Sequence, residues 1–386
     1  MNNQLLNTLY NTHKETQLFH RYIHLEHIKP LLDKLPKMYT VTSIGESVLG
    51  KPIYAVTFGS GEKRVLLWSQ MHGNESTTTK ALFDMFNTLT ESNAFASILS
   101  ACTITVIPIL NPDGAEAYTR LNANQIDLNR DSKMLTQPES KVLRDCFNSF
   151  KPHYCFNLHG QRTIFSAGKT NNIATVSFLS PAQDDSRSVT PSRQIGMEII
   201  AKLNENLQSQ IPNQVGIYDD SFNINCVGDM FQSLNVPTIL FEAGHYANDY
   251  EREITRLYIY QSLLVGLNYI ATTNITGAGH KAYFDIPEND KLFYDIIIRS
   301  ANIGSNEAPI IKDIGVMYKE TLINKKVEFL PIIEKISDLS NFYGHKEYNA
   351  NNHKVLDANS VLIQEGNSND FVIINDIKYS LKLTQY

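Results

Sequence analysis

The chain is poor in cysteine, has a single tryptophan, contains no apolar run of bilayer length and carries no excess of positive charge. Each shortage removes a class of protein. Four cysteines in 386 residues (Cys102, Cys146, Cys155 and Cys226) show no CxxC spacing, which argues against a disulfide framework or a cysteine zinc site. Three of them lie in apolar or strand-like segments and are expected to be buried thiols. With 34 Lys and Arg against 40 Asp and Glu, scattered along the chain, there is no basic face to neutralise phosphates, so no nucleic-acid partner is expected. The aromatic residues are spread over core-like segments and form no stacking platform for bases. No run approaches the roughly 18 apolar residues that cross a bilayer. The opening MNNQLLNTLYNTHKETQLFH lacks a basic stretch followed by an apolar one. The expectation is a cytoplasmic protein with no membrane partner.

What is present reads as a globular chain, 42% hydrophobic and 19% charged, long enough for one large core and a smaller domain. Residues 1–37 carry apolar positions at helical spacing (Leu18, Tyr22, Leu25, Ile28) and end at a proline, which predicts a helical segment packing on the domain beyond it. Strands are predicted at Met38 to Ile44, Pro52 to Phe58, Arg64 to Ser69, Thr103 to Ile109, Tyr154 to Leu158 and Pro237 to Phe241. Helices are predicted at Ser76 to Leu89, Gln137 to Asn148, Ser192 to Gln208 and Tyr250 to Ala271, the last with the stripe Ile254, Leu257, Tyr258, Gln261, Leu264 and Leu267. Strands alternating with helices over 38–273 imply an α/β domain, a mixed, mostly parallel sheet flanked by helices on both faces. From the Gly-rich Thr276 to His280 onward the runs become short, β-branched and turn-punctuated, so 274–386 reads as a small β-rich C-terminal domain. Ligands of such sheets sit at the carboxyl ends of the strands.

Four polar clusters fall at those ends. In MHGNEST, Met71 to Thr77, His72 and Glu75 stand three apart as the chain enters a helix, on one side of a single turn. Imidazole and carboxylate are suitable zinc ligands, and catalytic zinc takes three protein ligands with a position left open. Taken alone, the pair equally describes a helix start in which Glu75 favours the dipole. A candidate third ligand is His159, which follows the apolar strand ending at Leu158; by itself it would be an ordinary loop histidine. The stretch Asn111 to Asp131 begins with the turn signal Asn-Pro-Asp-Gly and then carries Arg120 and the pair Asn129-Arg130 in one polar excursion. Finally Glu242 ends the strand Thr238 to Phe241, where a carboxylate is costly unless paired or used.

In this order the clusters resemble the M14 family of zinc metallocarboxypeptidases: HxxE, then NPDG with a following Arg and an Asn-Arg pair, then a His, then a Glu. The resemblance covers about Met38 to Ala271 and includes IGESVLGKPI ahead of the first ligand. It implies a zinc carboxypeptidase-like fold and one zinc ion held by His72, Glu75 and His159. It further implies Glu242 as general base, Arg120 polarising the scissile carbonyl, and Asn129 and Arg130 gripping a terminal carboxylate. Tyr218 is similar to the family's mobile tyrosine that closes over the substrate, and Gly73 would permit a tight turn at the zinc-holding corner. The implied partner is a peptide or peptide-like substrate with a free C-terminal carboxylate, including peptidoglycan-derived peptides; the pattern carries no signal for assembly. The uncharged positions near Val227 and Gly228 argue for a substrate ending in a neutral or small residue.

Two departures stand out. Asn124-Gln125 precedes Asp127-Leu128-Asn129-Arg130 where the family often has glycine, and the Glu75 to His159 interval is short, so pocket-narrowing loops are not implied. No propeptide is evident, which leaves zymogen control without support. The β-rich tail keeps open an N-acyl amino acid hydrolase similar to aspartoacylase or succinylglutamate desuccinylase. A metal-binding protein that has lost catalysis is the reading from another class. It would show as a missing ligand, Arg120 or Glu242, and none is missing.

Overall fold

The computed structural model describes residues 2–305 and 307–383. They form two compact units. One runs to Gln161 and resumes over Ala174–Asn289; the other takes Arg162–Ile173 and everything from Asp290 on.

The first unit is built on eight strands: β1 (Thr40–Glu46), β2 (Pro52–Gly59), β3 (Lys63–Trp68), β4 (Cys102–Ile107), β5 (Tyr154–Gly160), β7 (Val176–Leu179), β8 (Val215–Ile217) and β9 (Thr238–Ala243). The intervening β6 (Phe165–Ala167) belongs to the second unit. The sheet order is β1-β2-β4-β3-β5-β9-β7-β8. The centre, β4-β3-β5-β9, is parallel, and antiparallel pairs stand on either side of it. The sheet is therefore mixed.

Period-two alternation explains why both faces are covered. Val65 and Leu67 of β3 join Phe156 of β5 and the helices Thr77–Glu91, Pro191–Gln208 and Glu253–Thr272 in one core. Leu66, Trp68 and Cys155 point the other way, into a second core with Leu143 and Phe147 of helix Pro138–Phe150 and Phe231 of helix Val227–Ser233. Each such fully buried apolar side chain contributes on the order of 1.5–3 kcal/mol. Helix Glu253–Thr272 is buried on nearly every side, as expected of a helix apolar all round, although Ile254 of the expected stripe is exposed.

The N-terminal segment is not one helix. It forms Asn3–His13 and Leu25–Leu32, with Leu18 and Tyr22 in the irregular stretch between them. Carbonyls there serve buried side chains instead of a helix ladder: those of Glu15 and Leu18 accept from Arg256, and that of Ile23 accepts from Gln70. The C-terminal boundary also differs from the expected 273/274. Residues 274–289 pack with the first unit, where Glu198 of helix Pro191–Gln208 accepts from the Gly279 backbone.

The second unit contains a four-stranded sheet of β11 (Phe293–Asn302), β12 (Ile311–Ile323), β13 (Lys326–Ser337) and β14 (Tyr343–Asn349), preceded by β10 (Asn289–Lys291), which pairs with β6. A three-stranded sheet, β15 (Val355–Leu356), β16 (Phe371–Ile374) and β17 (Ile377–Ser380), completes it. Among the described residues no helix is long and apolar enough to cross a membrane.

Candidate metal centre and surrounding site

His72, Glu75 and His159 converge at the carboxyl ends of β3 and β5. One ligand-capable atom from each lies within 4.8 Å of the others, and among the described residues no other group of this kind occurs. His72 Nδ1 stands 2.8 Å from Glu75 Oε1, His159 Nδ1 stands 3.0 Å from Glu75 Oε2, and the two Nδ1 atoms face each other at 3.1 Å. Both imidazoles are almost fully buried. Two ring nitrogens and a carboxylate directed at one point form the borderline donor set that zinc takes.

Local backbone chemistry brings these groups together. After β3 the chain turns at Gln70, whose φ is +45°. Gly73 answers to crowding more than to turn geometry: a Cβ there would lie 1.9 Å from the Gly114 carbonyl carbon. Gly114 belongs to the Asn-Pro-Asp-Gly turn, and this turn is the scaffold of the corner. Asn111 Oδ1 accepts from Gly114 N while its Nδ2 donates to Met71 O, fixing the residue before His72. Asp113 accepts from Leu49 N and so holds the loop between β1 and β2. On the other side the register of β5 and β9 sets His159 beside Glu242.

A carboxylate that sequence reasoning passed over completes the arrangement. Asp127 accepts from Asn129 N, stands 3.0 Å from His72 Nε2 and pairs with Arg120 at 3.0 Å. The Arg120 guanidinium also reaches Glu75 at 3.4 Å. Burial alone would raise the Asp127 and Glu75 carboxyls, but His72 and Arg120 around Asp127, and the two histidines around Glu75, bring both well below the usual range. Glu242 goes the other way: burial, then the charge of Glu75, pushes its carboxyl well above its ordinary value. Glu242 Oε2 and His159 Nε2 are buried with no hydrogen-bond partner among the described residues. The cluster thus combines converging donors with an unsatisfied buried carboxylate oxygen of Glu242 beside them, and it fits a divalent cation.

The residues expected to meet a substrate lie on the loops around it. Asn129 Oδ1 accepts from Val227 N, tying its loop to helix Val227–Ser233 and leaving the amide nitrogen of Asn129 as its donor end. Arg130 is exposed and donates to Asn129 O and to Cys226 Sγ. Tyr218 follows β8, and its backbone N donates to Phe178 O. Val227 and Gly228 are buried, and the neighbouring Asp229 is occupied by accepting from Asn223 N, its carboxyl raised to about 6 by burial. All four thiols are free; Cys102 and Cys155 are buried, whereas Cys146 and Cys226 are only half-buried.

A model of the zinc carboxypeptidase family, peptidase M14, matches residues 24–221, just over half of the chain. That span contains every site residue named above except Glu242 and those beyond position 221. Among curated proteins the chain is similar to the probable carboxypeptidase 2 of Arthroderma benhamiae, 30% identical over 138 residues, which is 36% of this chain and 24% of that protein. It is also 35% identical over 103 residues to murein peptide amidase A of Vibrio campbellii, covering 26% of this chain and 38% of that one. The alignments thus span about a quarter to two fifths of these relatives' length. The fold is similar to that of a putative carboxypeptidase A from Shewanella denitrificans, with a TM-score of 0.53 at 16% identity, covering 63% of this chain and 66% of that one. It is similar too to bovine thrombin-activatable fibrinolysis inhibitor, with a TM-score of 0.52 at 17% identity, covering 66% and 97%. With the family match running through the ordered motifs from the first histidine to Tyr218, the chain belongs to the zinc carboxypeptidase family, peptidase M14.

Proposed function

We propose that this protein is a cytoplasmic zinc-dependent carboxypeptidase that hydrolyses the C-terminal amide bond of peptides. The observation that carries this reading is the convergence of His72, Glu75 and His159 within 4.8 Å, beside Glu242 on the adjoining strand. In this reading the three side chains hold one zinc ion, which when bound supplies Lewis acidity and a water whose pKa falls from 15.7 towards about 7. Glu242 accepts a proton from the attacking water at its carboxylate and returns it to the leaving amine. Its burial beside the cluster supports that task, since a cation held there supplies the charge that keeps the group ionised. Arg120, permanently charged and adjacent to Glu75, stabilises the developing oxyanion by on the order of 3 kcal/mol. Arg130 offers a planar fork to a free carboxylate, and the Asn129 amide supports it, so chain ends are taken and internal bonds are not. Tyr218 covers the bound residue.

The family match favours this reading over an N-acyl amino acid hydrolase. The buried, uncharged Val227 and Gly228 support a preference for neutral or small terminal residues. The similarity to a murein peptide amidase supports extending the substrate class to peptidoglycan-derived peptides. The test is a zinc-replete assay over peptides with free and blocked C-termini, run beside Glu242→Gln. Release of the terminal residue from free ends only, with turnover reduced about 10²–10⁴-fold in Glu242→Gln and zinc content unchanged, is expected. Full turnover in the variant, or equal cleavage of blocked ends, would overturn the assignment.

A further inference from the structure

The strands that carry His159 and Glu242 leave the sheet side by side. β5 and β9 run parallel, with His159 in register with Glu242 and Gly160 with Ala243, and Gln161 N extends the ladder by donating to Ala243 O at 3.0 Å. At this exit the Arg252 side chain bridges the two chains. Its Nη1 donates to Ala243 O and its Nη2 to Gln161 O, each at 3.0 Å. Ala243 directly follows Glu242, and Gln161 lies two residues past His159. Arg252 is 1% exposed, so both contacts are made away from solvent.

The guanidinium stands on a fixed base. Arg252 adopts φ +61° just before helix Glu253–Thr272, a left-handed conformation that a long side chain takes only where its surroundings impose it. Here its N donates to Asp249 O and its O accepts from Arg256 N. The Asp249 carboxylate accepts from the N–H groups of Glu253, Ile254 and Thr255 and so closes the helix start. Thr255 Oγ1 adds a further contact to the strand exit, donating to Gly244 O at 3.3 Å.

We propose that Arg252 is a positioning residue that clamps the ends of β5 and β9 and so sets the spacing between His159 and Glu242. The clamp rests on geometry for its effect on the histidine, and on the carboxypeptidase reading for its effect on turnover. Buried carbonyls need donors, and a charged donor binds them about twice as strongly as a neutral one. A rigid planar fork holds two oxygens at one separation, which an ammonium on a flexible stem does not. A displacement of about 1 Å between reacting groups can cost on the order of 10²-fold in rate, so a bridge one residue past the base acts directly on turnover.

The test compares the full-length wild-type protein with Arg252→Met and Arg252→Lys. In the first arm each protein is loaded with cobalt(II) in place of zinc, and the visible absorption of the bound ion is recorded. Arg252→Met is expected to change the band shape, because a tilted His159 alters the coordination geometry, and Arg252→Lys to lie between it and wild type. In the second arm, on the zinc-loaded proteins, Arg252→Met lowers kcat roughly ten- to hundred-fold with KM within about two-fold, and Arg252→Lys recovers part of the loss. A folded Arg252→Met that denatures more easily yet keeps the wild-type spectrum and kcat would make Arg252 a packing residue and overturn the clamp. Should Arg252→Met fail to fold, Arg252→Lys decides: a changed spectrum with kcat lowered supports the clamp, and wild-type values in both overturn it. Should the wild-type protein hydrolyse no peptide, the proposed function falls, and the cobalt arm still decides the clamp.

Discussion

Asp127 shows how one carboxylate can govern a ligand it does not replace. By facing His72 Nε2 at 3.0 Å it fixes the tautomer and turns Nδ1 towards Glu75 and His159. Asp127→Asn is therefore expected to weaken zinc affinity about 10–100-fold, measured by competition with a chromophoric chelator; wild-type affinity would remove Asp127 from this role. The carboxylate grip proposed for Arg130 is tested at the same scale. Arg130→Ala is expected to raise KM for free-carboxyl peptides roughly ten-fold or more while barely changing the weak turnover of amidated ones. Equal losses on both substrates would show that the guanidinium does not read the carboxylate. The convergence of His72, Glu75 and His159, with Glu242 beside it, was legible in the sequence because metal-ligand chemistry restricts the residue types and strand ends restrict their places. Asp127 was not, because a carboxylate before a short helical turn is ordinary capping chemistry, and nothing local says that it faces an imidazole far upstream. Gly73 was read for turn freedom, whereas its need comes from the opposing Gly114 backbone, which no single stretch of sequence displays.

Helix Glu253–Thr272 is anchored by charge as well as by apolar burial. Arg256 makes a bidentate pair with Asp84 of helix Thr77–Glu91, at 2.7 and 2.6 Å, both side chains being fully buried. Asp84→Asn leaves the guanidinium buried beside a neutral partner, so a loss of about 3–5 kcal/mol is expected in urea unfolding. A loss below about 1 kcal/mol would mean the pair is solvated or dispensable. Glu253 joins the same network through Lys80, Lys14 and Arg256. Burial would raise its carboxyl, but Lys80 and Arg256 bring it down to about 2 from an ordinary 4.5. A depressed folded-state pKa gives stability that is present above the unfolded value and lost as pH falls through the folded one. The stability of the wild-type protein should thus decline between about pH 4.5 and 2 more steeply than that of Glu253→Gln, read from denaturation midpoints across that window. Parallel curves would count against Glu253 as a linked group. The strands β3, β4, β5 and β9 were readable as apolar runs, and the long helices as periodic ones. β7 and β8, with four and three residues, are too short to carry a period, yet they supply the edge from which Tyr218 emerges.

The division of the chain places the candidate metal cluster wholly in the first unit. Zinc binding should stabilise that unit, by about 2.7 kcal/mol at a hundred times Kd. Hydrogen exchange is expected to slow around 72–75 and 154–160 on zinc addition and to stay unchanged in β12 and β13. Equal protection in both places would mean that the units unfold together. A β-rich tail was legible from composition, but its limits were not. The Gly-rich Thr276 to His280, taken as the opening of that tail, in fact packs on helix Pro191–Gln208. The insertion Arg162–Ile173 carries no compositional mark between the two pieces of the first unit.

That insertion sets a rule for anyone cutting this gene. The second unit is discontinuous, so a stop codon after Asn289 would delete most of it yet leave β6 stranded shortly past His159-Gly160-Gln161 with its β10 partner gone. The orphaned strand would offer open backbone groups to any neighbouring edge, inviting aggregation. A truncation that preserved the first unit would have to excise both pieces and rejoin Gln161 to Ala174, and a chimera borrowing the β-rich unit would have to graft it at two places.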